Sequence, residues 1–316
     1  MDEEILKSKF TGSLIGTGVG DAVGAGFEGW HMVEPEAIEA VADRQEVLTY
    51  TDDTHMMIGI AESLAENQGF DGEHMAHTFM KNYEREPWRG YGPGPPHIFR
   101  LIRAGEAWDK AAERLYHGGS YGNGSAMRIA PVGVLYHDDL ARLREAAYKS
   151  SRITHSHELG KEGAALQACA VALAMNLEPS AVCRPTEFLA KLDEFVSHDV
   201  YKQKLVKIGM LLNQTDRVKA VVELGNGIEA FNSVPTAIYS FLSHSYSFEE
   251  AILFAVSLGG DTDTIAAMTG AISGAYLGVG SIPEKWRAKL ENRLYIEELA
   301  EKLHGVAIRR RGGDRV

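Results

Sequence analysis

The chain has 316 residues, 45% of them hydrophobic and 24% charged, the composition of an ordinary globular protein with enough apolar mass for a sizeable core. Its net charge of -12 excludes the broad basic surface that non-specific nucleic-acid binding needs, and suits cation binding better. Only two cysteines occur, Cys169 and Cys183, which offer neither a disulfide framework nor zinc-type pairing and read as reduced packing residues.

The opening Met1-Asp2-Glu3-Glu4 lacks the basic start and apolar run of a signal peptide, and no window approaches the roughly 18 uninterrupted apolar residues of a membrane helix. A cytoplasmic protein without nucleic-acid or membrane partners is therefore expected. Apolar residues recur at helical spacing almost everywhere, as in Phe188, Leu189, Leu192, Phe195 and Val196, whereas alternating strand-like runs are scarce. With no low-complexity linker or composition shift, this predicts one compact all-α domain over 1–305, a monomer, and a flexible basic tail over 306–316 that contains Arg309, Arg310 and Arg311.

The first predicted helix carries Gly12, Gly16, Gly20 and Gly24 on one stripe, where a neighbouring backbone can come unusually close. Each interior glycine costs about 1 kcal/mol relative to alanine, so such a helix makes sense only in the middle of a bundle. A membrane dimerisation face is the competing reading, but Lys7, Lys9 and Asp21 interrupt the apolar run. Glu28 emerges just beyond this helix, where a carboxylate can act as general acid or base without being a permanent metal ligand.

Thr51-Asp52-Asp53-Thr54 opens directly into the next apolar helical segment. Asp71, Pro185, Asp216, Ser247 and Pro283 mark later helix starts. Between them, Gly118-Gly119-Ser120-Tyr121-Gly122-Asn123-Gly124-Ser125 precedes the helical-looking Ala126-Met127-Arg128-Ile129. Its glycines let successive N–H groups turn inward, a helix start adds positive potential, and Ser120, Asn123 and Ser125 can donate, so the loop suits a diphosphate. It lacks the lysine and the preceding strand of a nucleoside triphosphatase loop. His155, in Thr154-His155-Ser156-His157, can donate to a phosphate oxygen if it sits at a helix start.

The last motif, Gly259-Gly260-Asp261-Thr262-Asp263-Thr264, repeats the pattern of the first acidic one. Either alone is an ordinary cap, because Asp and Thr are common in a first helical turn. Capping uses one side-chain oxygen per helix, however, and here the acids are doubled both times, the second set behind two glycines. Brought together, Asp52, Asp53, Asp261 and Asp263 would repel one another strongly without cations, and their threonine neighbours complete an all-oxygen set suited to Mg2+ or Mn2+.

In this order, Gly20-Asp21 with Glu28, Tyr50-Thr51-Asp52-Asp53-Thr54, Gly119-Ser120-Tyr121-Gly122-Asn123-Gly124, Thr154-His155 and Gly259-Gly260-Asp261-Thr262-Asp263-Thr264, the chain resembles the ADP-ribosylglycohydrolase family over nearly its whole length. The resemblance implies an all-helical fold with a binuclear Mg2+ centre that cleaves the glycosidic bond holding ADP-ribose. It also implies metal ligands at Thr51, Asp52, Asp53, Asp261, Asp263 and Thr264, a catalytic Glu28 assisted by Asp261 or Asp263, a diphosphate loop at Gly119, Ser120, Tyr121, Gly122 and Asn123, and a phosphate contact at His155. Tyr116 stands near the place of an adenine-stacking aromatic, at a shifted spacing. Gly225-Asn226-Gly227-Ile228-Glu229 and Ser233-Val234-Pro235-Thr236-Ala237-Ile238-Tyr239 resemble the branch acting on serine-linked ADP-ribose, poly(ADP-ribose) and O-acetyl-ADP-ribose. The implied partners are ADP-ribosylated proteins, the polymer or the acetyl ester. The alternatives are an arginine-specific relative, a binuclear metal phosphohydrolase, and a non-catalytic relative; retention of the acids and Glu28 argues against the last.

Overall fold

The first helix, Glu3–Gly24, runs through the middle of the molecule, capped by Asp2, whose side chain accepts from Glu4 N–H. This computed structural model describes residues 2–178, 183–212, 214 and 216–313, which form seventeen α-helices, short 3-10 turns and no strand. The all-α expectation holds. Gly12, Gly16, Gly20 and Gly24 lie against Gly274, Gly270, Ala266 and Thr262 of the helix Thr262–Leu277, so the two helices run antiparallel with their backbones in contact. A Cβ on Gly16 or Gly20 would collide with the carbonyl oxygen opposite, and Gly270 and Gly274 meet Gly16 and Gly12 in the same way from the other side. Burial of this pair offsets the helical cost of the glycines.

The antiparallel pairing has a direct consequence for the site. The C-terminal end of the first helix, with Glu28 just beyond the turn Ala25–Phe27, meets the N-terminal end of Thr262–Leu277, where Asp261 and Asp263 sit. Thr262 Oγ1 donates to Gly24 O at 2.9 Å and fixes the two ends together.

Lys9, expected as an interruption of the apolar face, is fully buried. Its ammonium donates to Ala174 O at 3.0 Å and Leu177 O at 2.6 Å, at the C-terminal end of the helix Glu158–Met175, a favourable place for a cation. Burial pushes Lys9 down to about 8. Asp71, Asp216 and Ser247 each accept from the backbone N–H three residues on, and Pro185 opens its helix as expected. Pro283 precedes the short helix Glu284–Arg287.

The expected boundary at 305 is not a structural one. The last helix runs Arg293–Gly313 without a break, and Val306 and Ala307 are buried. Arg311 donates to Asp138 at 2.7 Å and Arg310 lies 4.2 Å from the centre of the Tyr136 ring, so the basic segment packs as helix rather than leaving as a tail. Residues 314–316 of that tail lie outside the described residues. Cys169 and Cys183 are free and buried, and no helix among the described residues is long and apolar enough to cross a membrane.

Candidate active site

The first acidic motif opens the helix Asp52–Asn67, with Thr51 as its cap in extended backbone and Thr51 Oγ1 accepting from Asp53 N–H at 3.3 Å. Beneath it lies Asp21, completely buried, which accepts from Thr51 N–H at 3.0 Å, Thr54 N–H at 3.0 Å and Thr54 Oγ1–H at 2.6 Å. These N–H groups are the orphan donors of a helix start. Because Asp21 and Thr51 serve them, Asp52 and Asp53 are released from capping, and Asp53 Oδ2 is left buried with no hydrogen-bond partner.

The second motif is shaped by Gly259 and Gly260, whose φ angles of 70° and 77° put both in the left-handed region that favours glycine. Gly260 N–H donates to Trp30 O at 2.9 Å and Gly29 N–H donates to Gly260 O at 2.8 Å, so the segment that carries Glu28 is paired to the loop that carries Asp261. One carboxylate oxygen from each of Glu28, Asp261 and Asp263 lies within 4.8 Å of the others. Asn123 Nδ2–H donates to Asp261 Oδ2 at 2.5 Å and to Ser233 Oγ at 3.0 Å, which fixes the aspartate from the side of the glycine loop.

These groups share one cleft of about 280 Å³. Glu28, Asp52, Asp53, Asp261 and Asp263 line one end, with Thr51 and Thr264 beside them. Ser120, Gly122, Asn123, Gly124 and His155 line the neighbouring wall, and Tyr116 lines it further on. Asn123 N–H donates to Ile228 O at 2.9 Å and Ala230 N–H to Tyr121 O at 3.0 Å, so the glycine loop is stitched to the Gly225-to-Glu229 segment. His155 packs on Gly124, where a Cβ would lie 2.6 Å from its Cε1. Burial, with the positive charge of Arg128 behind it, pushes His155 down to about 3, so it is a neutral imidazole with Thr154 Oγ1 at 2.8 Å from Nδ1. Gly119 and Tyr121 do not line the cleft; Tyr121 turns outward and packs against His157 and Phe231.

The electrostatics are those of an anionic cage. Burial, then the neighbouring Asp21, raises Asp52 to about 7; burial, then Asp261, raises Asp263 to about 9. Burial followed by the charge of Asp263 lifts Asp53 well above the usual carboxylate range, and Asp261 and Asp21 are lifted chiefly by burial. An unpartnered buried carboxylate oxygen among crowded acids and threonine oxygens is the donor set of a hard cation, so the residues fit Mg2+ or Mn2+.

Two contributors to the site carry no local signal in the sequence. Asp21 reads in the sequence only as part of a motif and as a break in the apolar run of the first helix, since its bonds to Thr51 and Thr54 span about thirty residues and leave no local pattern. The Gly90-to-Pro95 segment forms the other wall, and its glycines and prolines read only as a turn.

Comparison with known proteins agrees with this geometry. The profile of the family described as ADP-ribosylglycohydrolase matches residues 2–313. The chain is 36% identical to human "ADP-ribosylhydrolase ARH3" and 38% identical to that of Bos taurus, each across 95% of this chain and 93% of the relative. It is 26% identical to "ADP-ribosylarginine hydrolase Tri1" of Pseudomonas putida, over 92% of this chain and 76% of that protein. A solved chain described as "ADP-ribosylglycohydrolase-related protein complex" superposes with a TM-score of 0.76 at 25% identity, covering 96% of this chain and 99% of the other. With its helical fold, its paired acids and a match across nearly its full length, the chain belongs to the ADP-ribosylglycohydrolase family.

Proposed function

We propose that the protein hydrolyses the glycosidic bond that links ADP-ribose to an acceptor, with serine-linked ADP-ribose the favoured substrate and poly(ADP-ribose) and O-acetyl-ADP-ribose also cleaved. The observation that carries the reading is the convergence, in one cleft, of Asp52, Asp53, Asp261 and Asp263 with Glu28 at one end and the Ser120-to-Gly124 loop beside them. The similarity to proteins named ADP-ribosylhydrolase ARH3 supports the choice of bond, and their identity exceeds that to the arginine hydrolase. The proposed setting is the cytoplasm, acting as a monomer, which two free buried cysteines suit.

Thr51, Asp52, Asp53, Asp261, Asp263 and Thr264 would hold two divalent cations, Mg2+ by preference. When bound, these would supply Lewis-acid stabilisation of developing charge and orient ribose hydroxyls and water. Ser120, Gly122 and the neutral His155 bind the diphosphate, Asn123 shapes that loop through its bonds to Ile228, Asp261 and Ser233, and Tyr116 offers a ring at the far end of the cleft for the adenine. Glu28 transfers the proton that accompanies departure of the acceptor oxygen. Asp261, held by Asn123, orients the attacking side of the site.

Turnover of defined serine-linked, arginine-linked and polymeric substrates, with and without chelator, tests the reading. Chelator-sensitive release of intact ADP-ribose is expected, fastest from serine. A preference for the arginine-linked substrate would replace the branch while leaving the family intact; chelator-resistant release would remove the metal centre.

A further inference from the structure

The Gly90-to-Pro95 wall gives the cleft a direction. At one end, a Cβ on Gly90 would lie 3.7 Å from Asp52 Oδ1; at the other, a Cβ on Gly94 would lie 3.5 Å from Tyr116 Oη. The wall therefore runs from the acids to the adenine-side tyrosine. The scissile bond sits at the acidic end under the reading above, and one way out for the acceptor from there, on the side away from Tyr116, leads past Gly90. There the cleft adjoins a second groove of about 500 Å³, with which it shares Thr51 and Gly90.

The groove has a distinct chemistry. Trp88 stands in it with 72% of its surface exposed, and the mechanism gives it no task. Beside it, the buried Arg89 guanidinium donates to Glu291 at 2.7 and 2.9 Å, to Glu86 at 2.6 Å and to Tyr50 O at 3.2 Å. Two carboxylates thus share a single guanidinium, and the groove keeps a net negative charge on a rigid floor. An open indole face next to excess negative charge attracts a cationic side chain and repels a phosphate.

We infer that the Trp88 groove is the acceptor subsite and takes a polypeptide with a lysine or arginine close to the ADP-ribosylated residue. This rests on the glycohydrolase reading and adds to it the acceptor class. A further ADP-ribose unit, which brings two phosphates, fits the groove less well on charge alone.

The test is a cycle of two enzymes and two substrates: wild type and Trp88→Ala, acting on serine-ADP-ribosylated peptides that differ only by lysine or alanine next to the modified serine, with O-acetyl-ADP-ribose as reference. Wild type should favour the lysine peptide in kcat/KM by about two- to five-fold, the size of an exposed cation–π contact. Trp88→Ala should bring that ratio close to one, mainly through KM, and Trp88→Phe should restore part of it. An equal ratio in wild type and Trp88→Ala, or an equal loss on the O-acetyl-ADP-ribose reference, would overturn the subsite. Failure of folded wild type to release ADP-ribose from any of the three substrates would instead bring down the parent reading.

Discussion

Asp21 accepts two hydrogen bonds from Thr54, from its backbone N–H at 3.0 Å and from its hydroxyl at 2.6 Å, and so pins the start of the helix Asp52–Asn67 to the central helix. Both fall on Oδ2, while Thr51 N–H donates to Oδ1 at 3.0 Å; asparagine supplies only one accepting oxygen and turns an NH2 donor toward the other N–H. Asp21→Asn should therefore keep the fold but weaken divalent-cation affinity about 10- to 100-fold, the usual cost of losing an outer-shell partner. A Mn2+ titration followed by electron paramagnetic resonance reads this directly. Affinity within two-fold of wild type would show that Asp21 serves stability alone.

Asp263→Ala should lower both cation binding and turnover, because it removes an acid from the point where Glu28, Asp261 and Asp263 approach within 4.8 Å. Isothermal titration with Mg2+ and a turnover assay on the same preparation check it. Retained activity in fully demetallated protein would sink the proposed centre.

Glu28→Gln separates chemistry from binding. Loss of a general acid or base should reduce turnover about 10²- to 10⁴-fold while ADP-ribose affinity stays near wild type. Because Glu28 also stands close to Asp261 and Asp263, cation affinity has to be measured alongside. A large fall in that affinity would make Glu28 a ligand rather than a proton-transfer group.

The pH dependence of metal-free stability follows from the raised carboxylates. Asp52 at about 7 and Asp263 at about 9 bind protons more tightly folded than unfolded, where the value is 3.8. Their stabilising contribution is complete below the unfolded value and is lost as pH rises through about 7 and about 9. Urea unfolding in chelator at several pH values should show wild type losing stability with rising pH more steeply than Asp263→Asn, and saturating Mg2+ should remove the difference. Equal slopes in chelator would contradict the crowded-acid account.

Gly20→Ala puts a methyl group onto Ala266 O and should destabilise the fold by about 1–3 kcal/mol, as overpacking does, although alanine is the better helix former. Chemical denaturation measures it. A neutral or stabilising result would mean that the two central helices can separate at no cost.

Much of the architecture is legible because it rests on local signals. The glycine stripe announces a close helix partner, and the doubled acids at two helix starts announce a shared task that capping does not need. What stays hidden depends on side chains meeting across long separations. Lys9 looks like a break in an apolar face, yet it serves carbonyls of Ala174 and Leu177 from another helix. Ser233 lies in a segment that reads as family-specific, and its contribution runs through Asn123 to Asp261, a chain of contacts that no periodicity records. Arg309 to Arg311 read as a solvated end because the apolar residues directly before them, Val306, Ala307 and Ile308, are too few to signal that the helix continues.

The most direct measurement of the central claim is product analysis by mass spectrometry after incubation of Mg2+-loaded protein with a serine-ADP-ribosylated peptide. Cleavage of the glycosidic bond predicts intact ADP-ribose and unmodified serine peptide, both abolished by chelator. AMP together with a peptide that retains ribose phosphate would mean attack at phosphorus, and would contradict the account.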